Sequence, residues 1–259
     1  MKNKQHDFLK PTERFSDRVE NYQKYRPHYP DTFIPFLAGA IGLKPSSVIA
    51  DIGSGTGISS ELFLKNGNEV FGVEPNKEMR EAGEKYLSAY PKFHSINGTA
   101  EKTTLPDAAI DILIAGQAFH WFSIEETKKE FRRIIKQNGW AVLFWNERLL
   151  GASVFLKEYE ALLLHYGVGY PVIPEKDIKE NIRQLFLERG FTYRPFPNSQ
   201  SFDYEGLEGR LLSSSYAPKA DSPHYASMLT ELKQIFDLHQ KNGKIEMLYQ
   251  TEVSFGHLE

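Results

Sequence analysis

An α/β domain on a mostly parallel sheet is the fold class this 259-residue sequence predicts. Three observations carry the expectation. Short apolar runs alternate with helix-forming segments from Val48 to Trp145, a glycine-rich turn follows the first run, and the second run ends in an acid. Strand-helix alternation of this kind implies parallel strands joined by right-handed crossovers.

Ahead of the first strand, Arg14 to Tyr25 reads as helix, Pro27 and Pro30 interrupt it, and Asp31 is placed to cap a second helix through Phe33, Phe36 and Leu37. Aromatic and cationic groups gather here, so residues 1–40 are expected to form a helical flap over the carboxyl ends of the strands. Val48 to Ile52 is a short buried strand, Gly53-Ser54-Gly55-Thr56-Gly57 a tight turn, and Ile58 to Lys65 the start of a helix. Gly53 and Gly55 bring a ligand against bare main chain, and Gly57 allows close helix packing. The second strand, Glu69 to Val73, ends in Glu74, about 20 residues after the turn begins, where a carboxylate can accept from both ribose hydroxyls. The dinucleotide fingerprint needs a glycine where this chain has Ile58.

A helix is expected from Asn76 to Tyr90, with Met79 turned back toward the ligand, and a third strand begins at Phe93 and runs toward Ala100 and Glu101. The fourth strand, Ile110 to Ala115, runs into Gly116-Gln117-Ala118-Phe119-His120-Trp121-Phe122. Ligands in open α/β sheets bind beyond the carboxyl ends of the strands, so this heptad belongs beside the glycine turn. Ser123 to Lys136 reads as a helix capped by Ser123 and closed at Asn138-Gly139, and Trp140 to Trp145 as the fifth strand. The pattern then changes. Helices are expected at Ala152 to Gly167, Ile178 to Arg189, Met228 to Lys241 and, with a turn, at Gly209 to Pro218. Strands are expected at Phe191 to Phe196 and Glu246 to Phe255. Residues at about 150–190 read as an insertion into a single domain spanning 41–259.

Composition excludes several classes. Net charge is −3 and no run of five or six like charges occurs, which argues against a nucleic-acid track or a polybasic membrane anchor. Cysteine is absent, removing disulfides, thiolate metal sites and a cysteine nucleophile together. The first ten residues lack the apolar core of a secretory signal and no apolar run reaches membrane-spanning length, so a cytoplasmic location is expected.

Asp51-Ile52-Gly53-Ser54-Gly55-Thr56-Gly57 with Val73-Glu74-Pro75-Asn76 resembles the first two motifs of class I S-adenosylmethionine (SAM) methyltransferases. The likeness extends over about residues 14–150 and is nearest the small-molecule branch, which includes trans-aconitate and ubiquinone/menaquinone-biosynthesis methyltransferases. It implies a Rossmann-like sheet of seven strands, mostly parallel with an antiparallel C-terminal strand and helices on both faces. It also implies SAM as cofactor, S-adenosylhomocysteine as product, and no metal. The cofactor residues so implied are Asp51, Gly53, Ser54, Gly55, Gly57, Glu74, Pro75 and Met79, with Ala100 and Glu101 at adenine. Gln117 lies near the methionine moiety, and Tyr22 and Arg26 near the SAM carboxylate or the substrate.

His120 is the best base in the sequence, and a packed structural role is equally open to it. Arg26, Arg148 and Arg210 could pair with an acidic substrate. The Asn-Pro-Pro-Tyr type of motif expected of an amino methyltransferase acting on adenine or cytosine is missing after the fourth strand. So are the acids that hold magnesium in the catechol type. The expected acceptor is a small carboxylate or aromatic/hydroxyl metabolite. A nicotinamide-dependent oxidoreductase, disfavoured by Ile58 and Pro75, and a SAM-binding regulator without catalysis are the alternatives. Oligomeric state is not readable.

Overall fold

A computed structural model describes residues 24–168, 170, 175–186, 189–214 and 216–258. Most of the expected N-terminal flap, including Tyr22, lies outside them. The helix α1 (Phe33–Ile41) is not capped by Asp31 as expected. Its N-cap is Thr32, without a side-chain bond, and the Phe33 N–H instead closes a turn on the Pro30 carbonyl at 2.9 Å. Pro30 fixes the chain direction, so the turn starts the helix without a capping side chain.

There follow β1 (Val48–Ile52), α2 (Ile58–Lys65), β2 (Glu69–Val73), α3 (Lys77–Tyr86), β3 (Phe93–Ile96) and β4 (Ile110–Gly116). A three-residue 3₁₀ turn at Phe119–Trp121 leads into α4 (Ile124–Ile134) and β5 (Ile135–Arg148). The later elements are α5 (Val154–Tyr166), α6 (Glu175–Leu185), β6 (Thr192–Phe202), α7 (Tyr204–Leu212), α8 (Tyr225–His239) and β7 (Ile245–His257). The seven strands form one mixed sheet in the order β3-β2-β1-β4-β5-β7-β6, mostly parallel, with antiparallel pairing confined to its C-terminal strands. The fold class matches the expectation.

Registers are regular at the centre, with Val48 to Ile52 opposite Glu69 to Val73. Ile110 pairs with Ile135 and Ile112 with Trp140, so Lys136 to Gly139 bulge from β5 with Asn138 at φ 64°. The Asn-Gly pair thus makes a bulge within a strand, where the sequence suggested a helix stop. Other boundaries moved as well: α3 ends at Tyr86 and not Tyr90, β3 ends at Ile96 short of Ala100 and Glu101, β5 spans Ile135–Arg148, α6 ends at Leu185, β6 runs unbroken through Phe202, α7 starts five residues before the expected helix and α8 starts at Tyr225.

The chain divides into two compact units. The sheet unit comprises residues 28–146, 173–196 and 251–259, and its core includes Ala50, Ile52, Leu113, Phe119, Phe131, Leu143 and Phe186. The helical unit comprises residues 1–27, 147–172 and 197–250, and α5, α7 and α8 supply Leu156, Tyr159, Leu207, Leu211 and Leu232 to its core with Met247 and Tyr249 of β7. The chain crosses from one unit to the other within β5, β6 and β7. Among the described residues no helix is long and apolar enough to cross a membrane.

The entry to β1 hangs on buried Asn68. Its Nδ2 donates to the carbonyls of Lys44 at 2.7 Å and Ser47 at 2.8 Å, and its Oδ1 accepts from Asn66. Asn68→Ala is expected to cost about 1–3 kcal/mol through the carbonyls left unpaired, read as a lower urea midpoint at unchanged m-value.

Candidate functional site

The turn after β1 is held from within. The N–H groups of Gly53 and Ser54 donate to the Val73 carbonyl at 2.8 and 3.2 Å, and that of Gly55 donates to Glu74 Oε2 at 3.0 Å. Glu74 Oε1 takes the Asn76 N–H at 2.8 Å, while the Asn76 side chain caps α3 through the Met79 N–H. Gly53, Gly55 and Gly57 all have positive φ. Their surroundings differ. A Cβ on Gly53 would meet Ala118 at 2.6 Å and one on Gly57 would meet Leu87 at 2.6 Å, whereas one on Gly55 would meet only the Met79 methyl at 3.3 Å. The space above Gly55 is a cradle bounded by Met79.

Two buried acids stand at this turn. Asp51, fully buried, accepts from the Ser59 and Ser60 hydroxyls, both at Oδ2 and 2.6 Å, and Oδ1 has no partner. Burial pushes its carboxyl up to about 6, against the lowering effect of the serine hydrogen bonds. Glu74 is also raised, by burial first, opposed by the Asn76 and Gly55 N–H groups, with Asp51 adding like-charge repulsion. Each Glu74 oxygen retains a lone pair that a hydroxyl can use. The pocket of main chain therefore favours a cation and a pair of hydroxyl donors. Three of the turn's amides, those of Gly53, Ser54 and Gly55, are spent on Val73 and Glu74.

The end of β4 lies against the turn, as Ala118 and Phe122 beside Gly53 show. Gln117 has φ 60°, a left-handed conformation costly for a residue other than glycine, held by its N–H to the Phe144 carbonyl and its Nε2 to the Asn146 carbonyl at 3.4 Å. His120 is half-buried in the 3₁₀ turn, its ring 4.8 Å from that of Trp121. Ser54 is buried, Pro75 half-buried, and Ala100 belongs to the core of the sheet unit. Glu101 Oε1 receives the Ser123 N–H at 2.9 Å, and the Ser123 hydroxyl turns to Glu126 instead of capping α4. Arg26 belongs to the helical unit, where its Nη2 donates to the Ser213 carbonyl at 3.1 Å.

Sequence reasoning missed four contributors. Ser59 and Ser60 fix Asp51, and their adjacency in the first turn of α2 was a visible signal. Tyr29 lies over Gly116, its hydroxyl 2.7 Å from where a Cβ would be, and Asn146 joins Gln117 to the His28 carbonyl. Neither can be read without the fold. Among the described residues no group of acids and histidines could hold a metal ion.

Comparison with known proteins places this geometry. Residues 50–143 match the methyltransferase domain family. An uncharacterized methyltransferase-like protein of Schizosaccharomyces pombe is 26% identical over 92% of both chains. A candidate type II methyltransferase of Anaeromyxobacter dehalogenans shares the fold with a TM-score of 0.63, at 18% identity over 90% of this chain and 98% of its own. A SAM-dependent methyltransferase of Geobacter sulfurreducens, solved with S-adenosylhomocysteine, gives 0.53 at 13% identity over 96% and 99%.

Asp51 carries a pH dependence of defined sign. Its folded pKa of about 6 exceeds the ordinary 3.8, so the folded state holds the proton more tightly. The associated stability is full below the lower value and is lost as pH rises through the higher one. The unfolding free energy of Asp51→Asn relative to the parent chain is therefore expected to rise between about pH 4 and 6 and to level off above, as followed by urea titration at each pH.

Proposed function

We propose that this chain, whose residues 50–143 match the methyltransferase domain family, is a SAM-dependent methyltransferase that acts on a small-molecule acceptor and holds its cofactor at the Gly53–Gly57 turn. One observation carries the cofactor assignment: the turn spends the amides of Gly53, Ser54 and Gly55 on Val73 and Glu74 and sets two buried carboxylates beside a bare Gly55. SAM is cationic at sulfur and at its amino group, and so suits that electronegative cradle. A nicotinamide dinucleotide is disfavoured by Ile58, which stands where its fingerprint needs a glycine.

In this proposal Glu74 accepts from the ribose hydroxyls through its unused lone pairs, and Met79 closes over the adenosyl group at Gly55. Asp51, through Oδ1, offers its charge to the amino group, and binding there favours the ionised carboxylate. Ala100 and Glu101 remain the proposed adenine neighbours, and Gln117 the neighbour of the methionine portion. When bound, SAM supplies an electrophilic methyl group on a sulfonium centre. The protein's own contribution is alignment and exclusion of water, worth on the order of 7–11 kcal/mol in well-oriented reactions. Phe119, Trp121 and Phe122 furnish apolar walls, and His120 is the candidate base for an acceptor that must lose a proton. A binding protein without catalysis would take up SAM but leave every acceptor unmethylated.

Titration calorimetry with S-adenosylhomocysteine tests the assignment. Glu74→Gln is expected to weaken binding roughly 10- to 100-fold, the loss of hydrogen bonds to a charged group. Gly55→Ala is expected to weaken it at least about tenfold and to cost about 1–2 kcal/mol of stability for the left-handed backbone. Unchanged affinity in both would remove the turn from the site. For His120→Ala, turnover of a methylated acceptor should fall while affinity for S-adenosylhomocysteine holds. Equal loss of both would make the imidazole structural.

A further inference from the structure

The helical unit contains a buried cluster whose charges do not balance. Arg148, its side chain 10% exposed, gives Nη2 to Glu160 Oε2 and to the Tyr170 hydroxyl, both at 2.9 Å, and its guanidinium lies 5.3 Å from the centre of the Tyr159 ring. Tyr170 itself donates to the other Glu160 oxygen at 2.6 Å, so both oxygens of that carboxylate are engaged. Arg210, 4% exposed, donates to the hydroxyls of Tyr249, Ser213 and Ser214 at 3.2, 3.4 and 3.2 Å. It forms an ion pair with no acid among the described residues. Among the described residues, these two guanidinium groups thus face the single carboxylate of Glu160, and positive charge is left over.

Two polar atoms in this cluster are buried without any hydrogen-bond partner: Arg148 Nη1 and the hydroxyl of Tyr159, itself fully buried. Buried charges are ordinarily paired and buried donors ordinarily satisfied, because both are costly to strip of water. A cluster that leaves a charge and two donors over is complete only with an anion. The excess positive field also shows at Tyr216, whose ring lies 4.5 Å from that of Tyr170: burial raises its hydroxyl pKa, yet Arg148, Arg210 and Arg26 together bring it below the ordinary value.

We propose that Arg148, Arg210 and Tyr159 bind the carboxylate of a small organic acid. A single planar carboxylate matches what is left over. It brings one negative charge and two oxygens, for which Arg148 Nη1 and the Tyr159 hydroxyl are waiting donors, and the tyrosine rings offer flat walls to its organic body. Two waiting donors match the two in-plane oxygens of a carboxylate better than the tetrahedral oxygens of phosphate.

Thermal unfolding of the full chain in succinate, benzoate or inorganic phosphate at constant ionic strength, with and without S-adenosylhomocysteine, tests the anion site. Succinate or benzoate should raise Tm and phosphate should not. Tyr159→Phe removes a hydroxyl that has no partner, so the unliganded variant should unfold no lower than the parent chain, while its carboxylate affinity falls about tenfold. Arg148→Gln should abolish the carboxylate response and leave the affinity for S-adenosylhomocysteine unchanged. A carboxylate response identical in Tyr159→Phe, a larger response to phosphate, or none to either acid while S-adenosylhomocysteine still stabilises the chain would overturn the carboxylate site. Loss of the S-adenosylhomocysteine response alone would count against the cofactor reading and not against this one.

Discussion

The Glu74 carboxylate, accepting from Gly55 on one oxygen and Asn76 on the other, is the contact on which the rest of the proposed cofactor site depends. It fastens the turn after β1 to the end of β2 and so converts two separate strand ends into one surface. Val73 reinforces it by taking two further amides of the turn. The amides of Gly53, Ser54 and Gly55 are thereby committed inward, beside the two buried carboxylates. That polarity suits a sulfonium cofactor.

Much of this surface was legible because it is local in sequence. Val48 to Ile52, the glycines, Glu74 and the fourth strand are short segments whose residue types state their conformation, and their expected limits hold to within a residue. What could not be read was set by distant partners. Gln117 takes a left-handed backbone only because Phe144 and Asn146 receive its N–H groups. Asn138 and Gly139 carry a turn signature that the neighbouring strand absorbs as a bulge. The Tyr204–Leu212 helix begins earlier than its apolar pattern suggested because Asp203 caps it through the Gly206 N–H, a short-range signal that was present and passed over.

The two units carry opposite electrostatic characters, each arising from burial without full compensation. In the sheet unit Asp51 and Glu74 are carboxylates with too few donors. In the helical unit Arg148 and Arg210 are cations with too few acids. A fold optimised for stability alone would neutralise both sets, since a buried ion rarely repays its desolvation. The two sets match the two ligands proposed for them, one cationic and one anionic.

Because the polypeptide passes between the units inside β5, β6 and β7, neither unit is a continuous stretch of gene. β7 sits between β5 and β6, so the strand translated last of the seven fills an interior place in the sheet. On the ribosome, where domains generally fold from the N-terminal side as they emerge, β1 to β5 can assemble early. β6 must then wait, its inner edge unpaired, until Ile245–His257 has cleared the exit tunnel. That interval is when a nascent chain of this topology most needs a chaperone, and a stop codon falling just before β7 would leave two strand edges with no partner.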